Sequence, residues 1–370
     1  KNLEIKEKQV TEAKNIVLFP TELPFNVLSE HVANFFLSPD EKIIITIENT
    51  EGSWELKLYD LKTNIKRHLL SKDILVKQKA DFSSIEFSPD SKKIILKIVI
   101  QKEIRYFLID LEKEPGTLKF LTNLDFLGKN PERVSFSPQE SPQNGENLFF
   151  LKGEKLSKAD VIKKEVASLA INNVLNWNFY ESGIYYLEKE GSLYKTDLNF
   201  STKEKLNSAN FQIKNGFKYE IIPLNEFLFL KENDDLYLFN PELKQFEKFF
   251  EKTKEIKISP DSGKAVYWSD SEIWILFLRS QENQPQKSGG EKLFLTRFSQ
   301  NINTVSWLNS NYLIFNVGDK IKIAEIDDRD QINIIDLAQF QGSKFFFNKT
   351  DKKLYLLNQG SLSVSEVLIK

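Results

Sequence analysis

Cysteine and methionine are both absent from the 370 residues, and histidine occurs only twice. Without a thiol there is no disulfide framework, no thiolate metal site and no cysteine nucleophile. A chain free of cysteine also suits an oxidising space, so an extracytoplasmic setting, periplasm or cell surface, is expected. The sequence begins at Lys1 rather than at a translation start, and a removed signal or N-terminal membrane anchor is expected ahead of it. Long hydrophobic runs are missing as well. Ile94–Leu96 and Ile98–Ile100, split by Lys97, fall far short of the ~20 residues that span a bilayer, so this segment itself is expected to make no membrane contact. An excess of either charge is also missing: 51 basic side chains face 53 acidic ones, for a net charge of −2. With no dense Lys/Arg block, no nucleic-acid partner is expected.

What the chain does have is apolar and aromatic material. Hydrophobic residues make up 41%, aromatics 12%, and 30 of them are Phe, which is enough for a large core and excludes general disorder. That material is periodic. Phe87-Ser88-Pro89-Asp90-Ser91-Lys92-Lys93-Ile94 repeats as Leu37-Ser38-Pro39-Asp40-Glu41-Lys42-Ile43, as Phe136-Ser137-Pro138-Gln139 and as Ile258-Ser259-Pro260-Asp261-Ser262-Gly263-Lys264. Looser copies centre on Tyr180, Leu224, Leu308 and Asn348. Eight copies at a mean step of about 44 residues match one four-stranded blade each. A second signature keeps step: Asp60 and Asp110 each follow the turn Asp by 20 residues, and Asp197, Asn240 and Asp327 hold similar places.

The local chemistry agrees. Ile85 and Phe87 lie two apart on one face of a strand with Glu86 on the other. Pro89 presets φ for the turn, and Ser88 and Asp90 can bond the nearby backbone. Apolar runs such as Ile43–Ile47, Glu55–Tyr59 and Ile65–Leu70 then read as the second, third and fourth strands, and no helical period persists. The expected fold is all-β, a single β-propeller over residues 1–370 with eight four-stranded blades, seven being the alternative. The blades occupy about 31–370. Residues 1–24 form a closing strand, Asn15–Phe19, and a linker, so that the N-terminal strand completes the last blade beside Lys344–Phe347, Lys353–Leu357 and Leu362–Leu368.

The aromatic-Ser-Pro-Asp turn followed by an apolar strand resembles the TolB-type propeller repeat, which is WD-repeat-like. The resemblance covers nearly the whole chain, although Gly-His and Trp-Asp dipeptides are missing. It implies a propeller, and a role such as those of periplasmic partners of envelope proteins or non-catalytic domains of peptidases. It does not choose among them.

Candidate chemistry is sparse. His31 and His68 lack a Gly-x-Ser-x-Gly elbow, and no catalytic residue is assigned. Asp327, Asp328 and Asp330, or Glu232, Asp234 and Asp235, lack the spacing and the bend glycine of a Ca²⁺ loop, so no metal is expected, and no cofactor. Ser259–Gly263 with Trp268 is only superficially like a sialidase Asp-box. Trp177 and Trp307 read as inner-strand packing, and Trp268 as packing beside a turn. Trp54 and Trp274 are the candidate binding residues, since an indole can stack on a sugar or a peptide. The polar loop Gln281–Glu291 and the insertion Gln139–Asn147 read as mobile segments. The sequons at Asn199 and Asn348 matter only where the source glycosylates. The expected function is a non-catalytic interaction or scaffold propeller, the extracytoplasmic part of a larger envelope or surface protein, with a protein partner. A carbohydrate- or peptide-binding module is the alternative, and a hydrolase sited in the channel a weaker one.

Overall fold

The computed structural model describes residues 19–20, 22–50, 53–75, 79–138, 147–180, 183–282, 285–342 and 344–369. They form an eight-bladed β-propeller of eight four-stranded antiparallel sheets. The described helix is a single turn, Lys72–Leu75, and a 3₁₀ turn, Asp125–Leu127. No helix among the described residues is long and apolar enough to cross a membrane.

The chain divides into two compact units, one of residues 33–249 and the other built from Phe250 onward together with the segment through Val32. In the first unit each blade is a meander. Blade one runs Val32–Leu37, Ile43–Thr50, Ser53–Asp60, Ile65–Ser71, and blade two Ala80–Phe87, Lys93–Ile100, Glu103–Asp110, Leu121–Asn123. Blade three runs Arg133–Phe136, Asn147–Lys152, Lys155–Asp160, Glu165–Ile171. Blade four runs Val174–Tyr180, Gly183–Glu188, Leu193–Asp197, Glu204–Lys205, and blade five Tyr219–Leu224, Phe227–Glu232, Asp235–Asn240, Gln245–Phe250. The second unit holds blade six, Glu255–Ile258, Lys264–Trp268, Glu272–Phe277, Lys292–Arg297, and blade seven, Ile302–Asn309, Tyr312–Val317, Lys320–Glu325, Ile334–Gln339.

Blade eight is composite. Lys344–Asn348, Lys353–Asn358 and Ser361–Val367 come from the C-terminus, and Phe25–Ser29 pairs alongside as Phe25↔Ser365, Asn26↔Val364 and Val27↔Ser363. An N-terminal strand does complete the last sheet. Of the strand expected at Asn15–Phe19, all but Phe19 lies outside the described residues, and the strand that pairs is Phe25–Ser29. Phe25 meets Phe340 edge-on with ring centroids 5.1 Å apart, and Phe19 meets Tyr312 at 5.8 Å.

The Ser-Pro-Asp turns join first strand to second as their chemistry requires. The Ser38 hydroxyl donates to Asp40 (2.7 Å) and accepts from the Ile43 N–H (2.9 Å), while Asp40 accepts from the Lys42 N–H (3.2 Å). Ser88 and Asp90 make the same three bonds with Lys92 and Lys93. Such self-bonding holds Glu41, Ser91 and Ser262 in the left-handed region, at φ of 58°, 63° and 54°. The second signature is an Asx turn: Asp60 accepts from the Lys62 and Thr63 N–H groups, both at 2.9 Å. Asp160 in blade three does the same for Lys163 at 3.0 Å, a member of the series that the spacing argument did not pick out.

Within each unit the core lies between sheets. Ile45, Leu56 and Leu69 of blade one pack with Ile94, Leu96 and Phe107 of blade two, and Val266, Ile275 and Leu295 of blade six with Val305, Leu313 and Phe315 of blade seven. No blade covers its own faces, so at roughly 1.5–3 kcal/mol per buried aliphatic the stability belongs to the stack.

Candidate functional site

The first strands of neighbouring blades run beside one another, and their polar side chains form bonds from blade to blade. The Glu86 carboxylate of blade two accepts from the Ser135 hydroxyl and the Phe136 N–H of blade three, both at 3.1 Å. Arg133, on that same strand, donates to the Trp177 carbonyl of blade four at 2.7 Å and lies 4.6 Å from the Trp177 ring. Asn178 then donates to the Ile221 carbonyl of blade five (2.9 Å), and Asn176 accepts from the Ile221 N–H (3.1 Å). Burial pushes the Glu86 carboxyl above its ordinary value, against the pull of Arg133, and burial also lowers the Arg133 guanidinium. In the second unit Lys257 of blade six donates to Val305 of blade seven at 3.0 Å, and Trp307 Nε1 returns a bond to the Lys257 carbonyl at 3.0 Å. Lys257 also lies 5.2 Å from the Trp268 ring. Chemically this array fastens blades. Sequence reading noted Glu86 only as the polar face of its strand; a charge inside an apolar run was the available signal.

Asp327, Asp328, Glu232 and Asp235 of the carboxylate clusters are engaged in ion pairs. Asp327 is gripped by Arg329, and Asp328 takes the Lys287 ammonium at 2.8 Å. Glu232 is buried and accepts from Lys214 (2.7 Å), Tyr219 (2.8 Å) and Tyr237 (3.3 Å). Among the described residues no group of three His, Asp or Glu is placed to hold a metal ion. His31 sits in a left-handed turn ahead of blade one (φ 60°), and His68 lies exposed on that blade's outer strand opposite Lys57.

The two candidate tryptophans differ. Trp54 is buried, with Nε1 donating to the Ala80 carbonyl at 2.9 Å, and it packs between blades one and two. Trp274 is half-buried in an aromatic cluster, 5.1 Å from the exposed Phe294 ring and 6.5 Å from Tyr267, with which it is stacked. Its Nε1 donates to Glu272 at 2.8 Å, and Arg297 grips the same carboxylate. Trp177 and Trp268 are fully buried, each with an Nε1 that finds no partner. In the loop Gln281–Glu291, Lys287 is tied to Glu291 and Asp328, and Gln281 and Lys287 form a β-bridge. Of the insertion in blade three, residues 139–146 lie outside the described residues. Asn199 is exposed, whereas Asn348 is buried with its carbonyl accepting from the Thr350 N–H.

Large aliphatic side chains reach solvent at the turn between third and fourth strands. Ile65 is 59% exposed in blade one, Leu118 93% in blade two, Ile162 75% in blade three and Leu243 54% in blade five. In a meander this turn lies at the same end of its sheet as the Ser-Pro-Asp turn. These four side chains stand one to a blade at corresponding turns.

No protein-family model matches the chain, and no curated protein matches it in sequence. Solved structures do share its fold. A computationally designed protein, Ika8, superposes with a TM-score of 0.55 at 12% identity, over 91% of this chain and 96% of that one. The β-propeller domain of Cps50 (Swd1) from Myceliophteria thermophila gives 0.50 at 10% identity, over 93% and 100%. The WD40 domain of SCAP from fission yeast gives 0.52 at 9% identity, over 94% and 98%. At such identities the likeness is one of architecture, and the architecture is that of a WD40-like β-propeller.

Proposed function

We propose that this propeller is a non-catalytic interaction module that docks a protein partner through side chains at its turn ends and outer strands. One observation carries the reading. Glu86, Arg133 and Lys257 of the first strands are bound blade to blade, while Ile65, Leu118, Ile162 and Leu243 stand in water. The TolB-like Ser-Pro-Asp repeat and the absence of cysteine support a place outside the cytoplasm, as part of an envelope or surface protein. The test is cross-linking of the intact chain in its native extract, comparing the parent with L118D and I162D after equal melting has shown both variants folded. The reading expects one cross-linked protein species that at least one of these variants loses. Retention of that species in both, or turnover of peptide or glycoside substrates by the parent, overturns it.

A second reading rests on Trp274 and Phe294. A half-buried indole beside an exposed ring, with Glu272 and Arg297 at hand, is a shelf for a sugar or a peptide side chain. Glycan-array binding lost in W274A and F294A would favour it over the first.

A further inference from the structure

Between the outer strand of blade four, Glu204–Lys205, and the first strand of blade five, Tyr219–Leu224, lies one of the two Asn-Gly dipeptides of the chain, Asn215-Gly216. The other, Asn144-Gly145, falls outside the described residues. Asn215 and Gly216 are the middle pair of a turn that the Phe217 N–H closes on the Lys214 carbonyl at 3.3 Å. Gly216 takes a φ of 80°, as the third residue of a type II turn requires, and nothing lies within 4 Å of where a Cβ would stand. Residues 214 to 218 are all exposed. Among the described residues neither the Asn215 side chain nor the Gly216 N–H has a hydrogen-bond partner. The flanks are held instead: the Lys214 N–H donates to the Tyr219 hydroxyl (2.8 Å) and the Lys218 N–H to the Asn233 carbonyl Oδ1 (2.9 Å). Asparagines that precede serine are placed otherwise. Asn207 is buried, its Oδ1 accepting from the Leu193 N–H (2.8 Å) and its Nδ2 donating to the Gly191 and Ala209 carbonyls, both at 2.9 Å. Asn309 accepts from the Asn311 N–H at 2.8 Å.

We propose that Asn215 is a site of spontaneous modification, converting to aspartate and isoaspartate through a succinimide closed by the Gly216 nitrogen. The proposal stands apart from the interaction reading and does not depend on it. The Gly216 nitrogen gives up its proton and attacks Asn215 Cγ, so that an N–Cγ bond forms, the Cγ–Nδ2 bond breaks and ammonia leaves with the proton. Water then opens the ring at either carbonyl, leaving aspartate in one case and a main chain rerouted through Cβ in the other. No oxidant or metal enters the balance. Three features of the turn favour this course. Glycine puts no side chain beside the attacking nitrogen. Neither reacting group has to be released from a hydrogen bond, unlike the amide of Asn207. A turn closed by one long backbone bond also opens locally at little cost, which lets the nitrogen and Cγ reach each other. The product carboxylate arises one residue from Lys214, whose ammonium neutralises the buried Glu232 at 2.7 Å.

The test is incubation of the intact chain at 37 °C at pH 6 and pH 8.5, followed by peptide mapping at pH 6. The Asn215 peptide is expected to gain about 1 Da, the mass of an amide exchanged for a carboxyl, and to do so faster at pH 8.5 because the attacking nitrogen must lose its proton. It should resolve into two products, one of which accepts a methyl group from protein isoaspartyl methyltransferase. N215Q, whose fold a thermal melt confirms, should lose both. The same chain unfolded in urea reports what the turn contributes, and the folded rate should lie within about tenfold of the unfolded one if local opening is as cheap as the turn implies. An unchanged Asn215 peptide, conversion confined to Asn144, Asn207 or Asn309, or a folded rate further below the unfolded one overturns the assignment.

Discussion

Replacing Asp261 by Asn removes one negative charge from a turn that holds a buried lysine. Burial alone raises the Asp261 carboxyl, but the Ser259 hydroxyl, the Gly263 N–H (3.0 Å) and the Lys264 ammonium (3.2 Å) outweigh it and hold the group down at about 2, from an ordinary 3.8. At about 1.4 kcal/mol per tenfold that difference is worth ~2.5 kcal/mol. The Asp261 side chain is 44% exposed and solvent screens it, which reduces the figure to about 1 kcal/mol. Asn can still accept the turn's hydrogen bonds, so D261N isolates the charge. For a chain of this size the melting temperature should fall by about 2 °C or less, and urea midpoints are the better measure. Because the carboxyl is depressed in the fold, its contribution is complete above pH 3.8 and is lost as the pH falls toward 2. The gap between parent and D261N should therefore narrow below pH 3.8. Lys264 adds a second arm: its side chain is only 5% exposed, so losing Asp261 strands a desolvated cation. Lys264→Met should be close to neutral, and D261N/K264M should recover most of what D261N loses. If the double variant instead lost the sum of the singles, or the D261N gap held constant down to pH 2.5, the charge account of the turn would be wrong.

Removing residues through Ser29 deletes the fourth strand of the last blade, with the half-buried Phe25 and Leu28. It should cost about 2 kcal/mol by the area rule and promote self-association through the bared Ser361–Val367 edge, both visible in urea melts and sedimentation. Glu86→Ala leaves Arg133 buried without its carboxylate and should cost ~3 kcal/mol. Because Glu86 is raised in the fold, the stability linked to its proton is present below its ordinary 4.5 and lost as the pH rises through its folded value, so the parent should lose ground to E86Q as pH increases above 4.5. Trp307→Phe breaks the bond to the Lys257 carbonyl, whereas Trp177→Phe deletes an indole N–H that has no partner, so W307F should be costlier by about 1 kcal/mol in matched melts.

The parts of this fold written locally were legible in the sequence. Ser88 and Asp90 set their turn through bonds within five residues, so copies of the motif marked the step from first to second strand throughout. Parts set by distant partners were not. Phe25–Ser29 and Asn15–Phe19 are both rich in β-forming residues, and only pairing with Ser361–Val367 picks the strand that closes the sheet. Trp54 lies just ahead of the run Glu55–Tyr59 that reads as a strand, yet nothing within that run shows that its indole reaches Ala80 in the next blade. The fastening of blades two, three and four by Glu86 and Arg133 is equally non-local, with partners 44 to 50 residues away.

Outer strands carry the same lesson into function. A strand pattern has a period of two, and an inserted residue shifts it, so alternation alone does not reveal the bulges at Leu69, Leu295 and Leu337 that lie in the core. The bulges that bury them also interrupt the free edges, alongside charges such as Lys66, Arg67 and Asp336. That combination shields sheet edges from chance strand pairing. Under the proposed interaction role, a partner would be selected by side-chain chemistry rather than by strand addition. Leu169 stands where an extra residue elsewhere serves the core, and the three residues set opposite Lys158 are what leave it outside.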